Sequence, residues 1–181
     1  HAPAPYRYRS PYGDLDEEAY AVEAAKELER VIGTHTSTDI AAVVVEPVMG
    51  EGGIIVPPEG YLERVQEITH DHGGLFIVDE VQAGYGRTGR MFASEHFDIE
   101  PDILPQAKGI ANGLPLGAFT APADIADSFE SGDHLSTFGG NPVAAAGALA
   151  NIEQLQDGLV DNAAEQGEWI ESRLADLEAD V

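Results

Sequence analysis

The sequence predicts an α/β fold, with a central, mostly parallel sheet flanked by helices. Two apolar runs carry that prediction, Ile40-Ala41-Ala42-Val43-Val44-Val45 and Leu75-Phe76-Ile77-Val78. Neither alternates with polar residues, which is the pattern of parallel strands buried on both faces. Around them apolar positions recur at helical spacing, and strands alternating with helices build a parallel sheet.

Taken in order, residues 1–14 are rich in Pro, Tyr and Arg and read as an irregular lead-in. From Leu15 the positions Ala19, Val22, Ala25, Leu28 and Ile32 mark one face of a helix, which Gly33 to Asp39 should close. The first strand then ends at Glu46-Pro47, and Val48-Met49-Gly50-Glu51-Gly52-Gly53 forms a glycine-rich loop after it. Pro57-Pro58-Glu59-Gly60 introduces a second helix with Tyr61, Val65 and Ile68 inside. His70-Asp71-His72-Gly73-Gly74 stops it, glycine accepting the left-handed cap.

After the second strand, Ala83 to Arg90 is too rich in glycine for regular structure. Pro101 to Leu104 is a short strand leading to Lys108, Leu116 to Thr120 another, and Ala123 to Phe129 a helix. Thr137-Phe138-Gly139-Gly140-Asn141-Pro142 is a turn. Val143 to Leu155 is small and apolar almost all round, which predicts a buried helix. A last amphipathic helix over about Leu159 to Leu177 should turn Leu159, Ala163, Ile170, Leu174 and Leu177 inward. There is no internal repeat.

The 181 residues suffice for one good core. With no initiator methionine and a finish at Val181 inside a helical pattern, the chain reads as an internal piece of a longer one. Its 33 acids against nine bases give a net charge of −24, which argues against nucleic acid or an anionic membrane as partner. The acids are scattered over the helices, so the expectation is a protein adapted to high salt, where screening relieves self-repulsion. The absence of cysteine removes disulfides and thiolate chemistry. No membrane span or signal peptide is visible, so the expected location is cytoplasmic. His70 and His72 stand two apart with no third ligand, so no metal is expected and they read as a solvated helix end.

Chemistry concentrates at two places. The second apolar run stops abruptly at Asp79-Glu80-Val81-Gln82, and ligands in open α/β sheets sit beyond the carboxyl ends of strands. Lys108 follows Asp79 by 29 positions, room for a helix and another strand. Only two lysines occur beside seven arginines, so a lysine kept in a Gly/Pro-rich apolar loop invites a chemical explanation. Arginine cannot replace an amine that must lose its proton to attack a carbonyl. A carboxylate with an amine nearby suggests a pyridine cofactor held between them, so both should flank one hollow. Singly, each residue has a plainer reading: Asp79 as a capping acid, Lys108 as a loop lysine, Val81 as core, Gln82 and Thr137 as turn residues, Glu46 and Glu51 as loop acids.

Together, Glu46-Pro47-Val48-Met49-Gly50-Glu51-Gly52-Gly53, Val78-Asp79-Glu80-Val81-Gln82, Gly86-Arg87-Thr88-Gly89, Pro101-Asp102-Ile103, Ala107-Lys108-Gly109-Ile110 and Thr137-Phe138-Gly139-Gly140-Asn141-Pro142 resemble the class-III pyridoxal-phosphate aminotransferases. That family includes the 4-aminobutyrate, ornithine and alanine–glyoxylate enzymes. The resemblance implies the cofactor pyridoxal 5'-phosphate, with Lys108 forming its Schiff base and carrying the substrate proton. It implies Asp79 on the pyridine nitrogen, Val81 on the ring face and Gln82 near the phenolic oxygen. It also implies Thr137 on the cofactor phosphate of a neighbouring subunit, hence a homodimer with shared sites. Glu46 and Glu51 become candidates for a substrate gate, Glu51 through an arginine beyond Val181. If Val81 and Gln82 both serve the cofactor, the chain must bend after Asp79, because strict strand alternation would part them.

On the same resemblance, residues 1–155 belong to the large cofactor-binding domain, truncated at both ends, and residues 156–181 lead toward a small C-terminal domain. The implied reaction moves an amino group from an amino acid or omega-amino acid to a 2-oxo acid. The piece alone is expected to be inactive. An aminomutase or racemase on the same scaffold, or a non-catalytic module that keeps the fold, are the rival readings.

Overall fold

The computed structural model describes residues 1–179, so the last two residues of the 156–181 segment lie outside the described residues. Helix α1 spans Glu17–His35, and Asp16 caps it by accepting from the Ala19 N–H. Glu17 and Glu18 in its first turn complement the helix dipole. Its buried stripe is Tyr20, Ala21, Ala25, Leu28 and Ile32. The expected stripe therefore shifts by a residue at its start, where the Tyr20 ring, with the Arg7 guanidinium over it at 5.8 Å, displaces Ala19 and Val22. The helix ends at His35 with Thr36 as its cap, inside the predicted Gly33 to Asp39 stretch. The hydroxyls of Thr34 and Thr36 donate to the carbonyls of Arg30 and Ile32, both at 2.6 Å, and satisfy the last turn.

Strands β1 (Ala42–Val45) and β2 (Leu75–Val78) pair in parallel, Ala42 opposite Leu75 through Val45 opposite Val78. Helix α2, Tyr61–Asp71, connects them. Gly60 before it and Gly73 after it take φ of +78° and +72°, a region closed to most side chains. Leu28, Ile32, Leu62, Val65, Phe76 and Val78 meet in the core between these helices and one face of the sheet. Each such side chain contributes about 1.5–3 kcal/mol when fully buried.

Strand β3, Leu104–Gln106, pairs antiparallel with β4, Ala118–Thr120. Ile103 bridges Ile77 in parallel, and the N–H groups of Val78 and Glu80 donate to Ile103 and Pro105 at 3.0 Å. The strand order is thus β1–β2–β3–β4, three parallel and one reversed. The second predicted strand is present over the expected Leu75–Val78, and the first and fourth are shorter. The third is displaced to Leu104–Gln106 and shares only Leu104 with the predicted stretch, and β1 is not buried on both faces. It is an edge strand, with Val44 62% exposed.

The second half is more open than predicted. After the short helix α3 (Ala123–Ala126) comes α4 (Pro142–Gln154), capped by Asn141, which accepts from the N–H groups of Val143 and Ala144. Only Ala144 and Ala148 of α4 are buried, and Val143 and Leu149 face solvent. Helix α5, Val160–Ala179, exposes Ile170, Leu174 and Leu177, and Leu159 just before it is exposed as well. Of the predicted inward stripe only Ala163 is half-buried, and the four large side chains face solvent. Between α4 and α5, Asp157 and Gly158 leave helical geometry, with Gly158 at φ +106°. The start of α5 lies on the loop after β2: a methyl group on Gly89 would stand 2.9 Å from Ala164 Cα. No described helix is long and apolar enough to cross a membrane.

Candidate active site

The tip of β2 places two adjacent carboxylates on opposite faces. Phe76, Val78 and Glu80 point into the core and are fully buried, whereas Asp79 is half-buried on the other side. The Asp79 N–H completes the ladder by donating to Val45 O at 2.7 Å. Asp79 Oδ1 then accepts from the Val81 N–H at 2.9 Å, a side-chain turn that ends the strand. The bend required for Val81 and Gln82 is present, since turns begin at Val81. Glu80 accepts from the N–H groups of Ala93 and Ser94, at 3.1 and 2.7 Å, and so ties down the far end of the loop. Sequence reasoning gave Glu80 no role, although its register with Phe76 and Val78 pointed inward.

Lys108 opens a single turn of 3-10 helix, Lys108–Ile110, just beyond β3, with φ +43°. A side chain in this region costs about 1–2 kcal/mol, so the surroundings must impose it. Asn151 on α4 does so, its Nδ2 donating to the carbonyls of Gly109 (2.7 Å) and Ile110 (3.2 Å). On the other side Gly109 lies against Tyr85, where a methyl group would stand 3.0 Å from Tyr85 Cβ. Tyr85 in turn donates its hydroxyl to Gln106 Oε1, and burial pushes that hydroxyl's pKa up. Asn151 and Tyr85 were both missed from sequence; they reach Lys108 only through the fold.

The lysine points at the tip of β2. Lys108 Nζ donates to Gln82 Oε1, and Gln82 Nε2 donates to Glu51 Oε1 at 3.3 Å. Glu46 Oε2 accepts from the Gly50 N–H at 2.8 Å, closing the glycine loop beside that amide. Four predicted site residues (Lys108, Gln82, Glu51 and Glu46) are thus brought together. Lys108 and Gln82 line a hollow of about 590 Å³ with Val48, Met49, Tyr85 and Arg87.

Asp79 does not open into that hollow. It lines a neighbouring one of about 730 Å³, together with Glu46, Met49 and Tyr61. The expectation of one shared hollow is therefore corrected: Met49 lines both, and Asp79 and Lys108 have a common wall instead. Val81 is half-buried at the same tip. Thr137 lies on an exposed bend and lines neither hollow. His70 is not simply solvated, since its Nε2 lies 2.9 Å from Asp102 Oδ2, which also accepts from the Phe76 N–H at 2.6 Å. This clasp joins the end of α2 to β2. No group of three or more possible metal ligands occurs among the described residues.

Comparison with known proteins covers the whole of this arrangement. The model of the family aminotransferase class-III matches residues 1–181. Acetylornithine aminotransferase of Methanothermobacter thermautotrophicus is 48% identical over 165 residues, 91% of this chain and 39% of the relative. The acetylornithine aminotransferase of Mycobacterium leprae is 49% identical over 154 residues, 84% of this chain and 35% of the relative. Among solved structures, an (S)-enantioselective omega-transaminase from Thermomicrobium roseum superposes with a TM-score of 0.90 at 40% identity, covering 99% of this chain and 41% of that one. A Bacillus anthracis aminotransferase gives 0.87 at 38% identity, covering 97% and 41%. The chain thus spans about two fifths of the length of these relatives.

Proposed function

The chain belongs to the class-III aminotransferases, and we propose that the protein carrying it moves an amino group from an amino acid or omega-amino acid to a 2-oxo acid, with pyridoxal 5'-phosphate as cofactor. The observation that carries this reading is the hydrogen bond from Lys108 Nζ to Gln82, which ties the amine to the tip of the strand that bears Asp79. The donor set suits the cofactor. Lys108 would hold it through its amine, and Asp79, whose Oδ1 bonds the Val81 N–H, has its second oxygen for the pyridine nitrogen. Val81 would lie on the ring face and Gln82 by the phenolic oxygen. When bound, the cofactor supplies an electron sink for the electron pair left at the substrate carbon.

The chain's own residues supply the rest. Asp79, as a carboxylate, would favour the protonated pyridine nitrogen beside it. Lys108 Nζ would take the proton from the donor's alpha carbon and return it on the cofactor side, the transfer step that such a positioned group speeds by roughly 10²–10⁴. Val48, Met49 and Tyr85 line the hollow beside that amine with apolar surface. Glu46 and Glu51 are proposed to gate the substrate carboxylate.

The same reading includes a homodimer in which Thr137 of each chain serves its neighbour's cofactor phosphate, and a cytoplasmic location. It assigns residues 1–155 to the cofactor-binding domain and 156–181 to the passage toward a further one. That division falls at the break in helix geometry around Asp157 and Gly158. The net charge of −24 supports a protein adapted to high salt.

The test uses the full-length protein. Borohydride should reduce a cofactor bond at Lys108, adding its mass to that residue, and Lys108→Ala should leave only a trace of turnover. Normal turnover in that variant would reject the assignment. Acetylornithine is the first donor to assay, since the relatives cited carry that name, followed by omega-amino acids against pyruvate, 2-oxoglutarate and glyoxylate. Product formation without any oxo acid would point to a mutase or racemase instead.

A further inference from the structure

The Gln82 amide is held on three sides. It lies against Gly50, where an added methyl group would come within 2.4 Å of Nε2. Its Nε2 end donates to Glu51 Oε1 at 3.3 Å, and its Oε1 end accepts from Lys108 Nζ. The two ends of an amide are nearly equal in shape and differ in what they donate and accept. Lysine offers only donors and an ionised glutamate only acceptors. One orientation of Gln82 therefore satisfies both neighbours. The flipped one sets N–H against ammonium and carbonyl oxygen against carboxylate.

We propose that Glu51 is a positioning residue for Lys108, acting through Gln82: it fixes the amide with its oxygen toward Nζ and so holds the lysine amine in this hydrogen bond until a carbonyl partner takes its place. The proposal rests on the reading of Lys108 as a carbonyl-binding amine, and it gives Glu51 a task distinct from gating a substrate carboxylate. Only the free amine attacks a carbonyl. Without Glu51 the amide has one directing neighbour in place of two, and Lys108 is released more readily.

The experiment uses the full-length protein freed of cofactor, treated with formaldehyde and cyanoborohydride at one mildly alkaline pH. Mass spectrometry reads methylation at Lys108 relative to Lys26, which bonds Glu23 at 2.7 Å on exposed α1 and serves as an internal reference for both chemistry and fold. Glu51→Ala and Gln82→Ala should each raise the ratio about threefold or more. The double variant should go no further than Gln82→Ala alone, because among the described residues Glu51 makes no hydrogen bond to the amine itself and meets it through the amide. An unchanged ratio in Glu51→Ala overturns the proposal, as do additive effects in the double variant. Glu51→Gln, closest in shape, covers a failure of the alanine variant to fold: a smaller rise in the same direction supports the proposal, and no rise overturns it. Pyridoxal phosphate trapped at Lys108 in the unaltered protein, with an unchanged ratio in the variants, would keep the aminotransferase reading and discard this one. No trapping would discard both, because the proposal rests on Lys108 binding a carbonyl.

Discussion

The two faces of β2 do different work with nearly the same residues. On one, Phe76 and Val78 are sealed beneath α1 and α2, and the buried Glu80 carboxylate serves the fold by bonding the Ala93 and Ser94 N–H groups. On the other, Asp79 is half-buried at the edge of a hollow, with one oxygen bonding the Val81 N–H. Adjacent acids of like chemistry are divided by a single step of strand alternation. A carboxylate's role is therefore set by which face it occupies and by what already bonds it.

That division can be broken in several ways. The largest effect should come from Asp79→Asn in the full-length protein, which removes the charge but keeps the shape. Turnover should fall by roughly 10²–10⁴ while the unfolding midpoint stays put. Paired steady-state kinetics and denaturant unfolding would show whether the open face is chemical. On the sealed face, Phe76→Ala should cost about 3–5 kcal/mol in denaturant unfolding, because its site is too enclosed to collapse.

Next comes pH. Burial, and then the neighbouring Tyr20, push the Tyr61 hydroxyl from an ordinary 10.0 up to about 12. The folded state thus holds this proton more tightly than the unfolded one. The stability it contributes is complete below pH 10, falls as pH rises from 10 to 12, and is gone above. The loss should be about 2–3 kcal/mol, and Tyr61→Phe should flatten that part of the stability–pH curve. Smallest is Glu80→Ala, which orphans the buried Ala93 N–H and frees the half-buried Ser94 N–H, at about 1–3 kcal/mol of stability for the buried group. Any loss of turnover in that variant should track the loosened loop, with the temperature of half-inactivation falling alongside.

The same contrast explains what was legible in the sequence. Helices α1 and α2 could be read because their partners lie within the chain, so their apolar spacing and the glycines at Gly60 and Gly73 agree with the packing they meet. Helices α4 and α5 show equally clear patterns, but pattern records what a face is suited to, not what covers it. Leu174 and Leu149 are exposed for that reason. At the site, the lysine and the acidic strand tip could be found from residue type and spacing. The wall formed by Met49 and the brace from Asn151 could not, since nothing local in the sequence ties residue 49 or 151 to residue 108. Glu80 lay between these cases: strand alternation faced it inward, but its partners at Ala93 and Ser94 come from a later turn.

The near-touching of Gly89 and Ala164 leaves no slack between the strand-tip loop and the last helix. A side chain at residue 89 would have to displace the helix backbone, and Arg87, two residues earlier, forms part of the lip around the lysine's hollow. The rim of that hollow and the seat of α5 are thus built from one short stretch of chain.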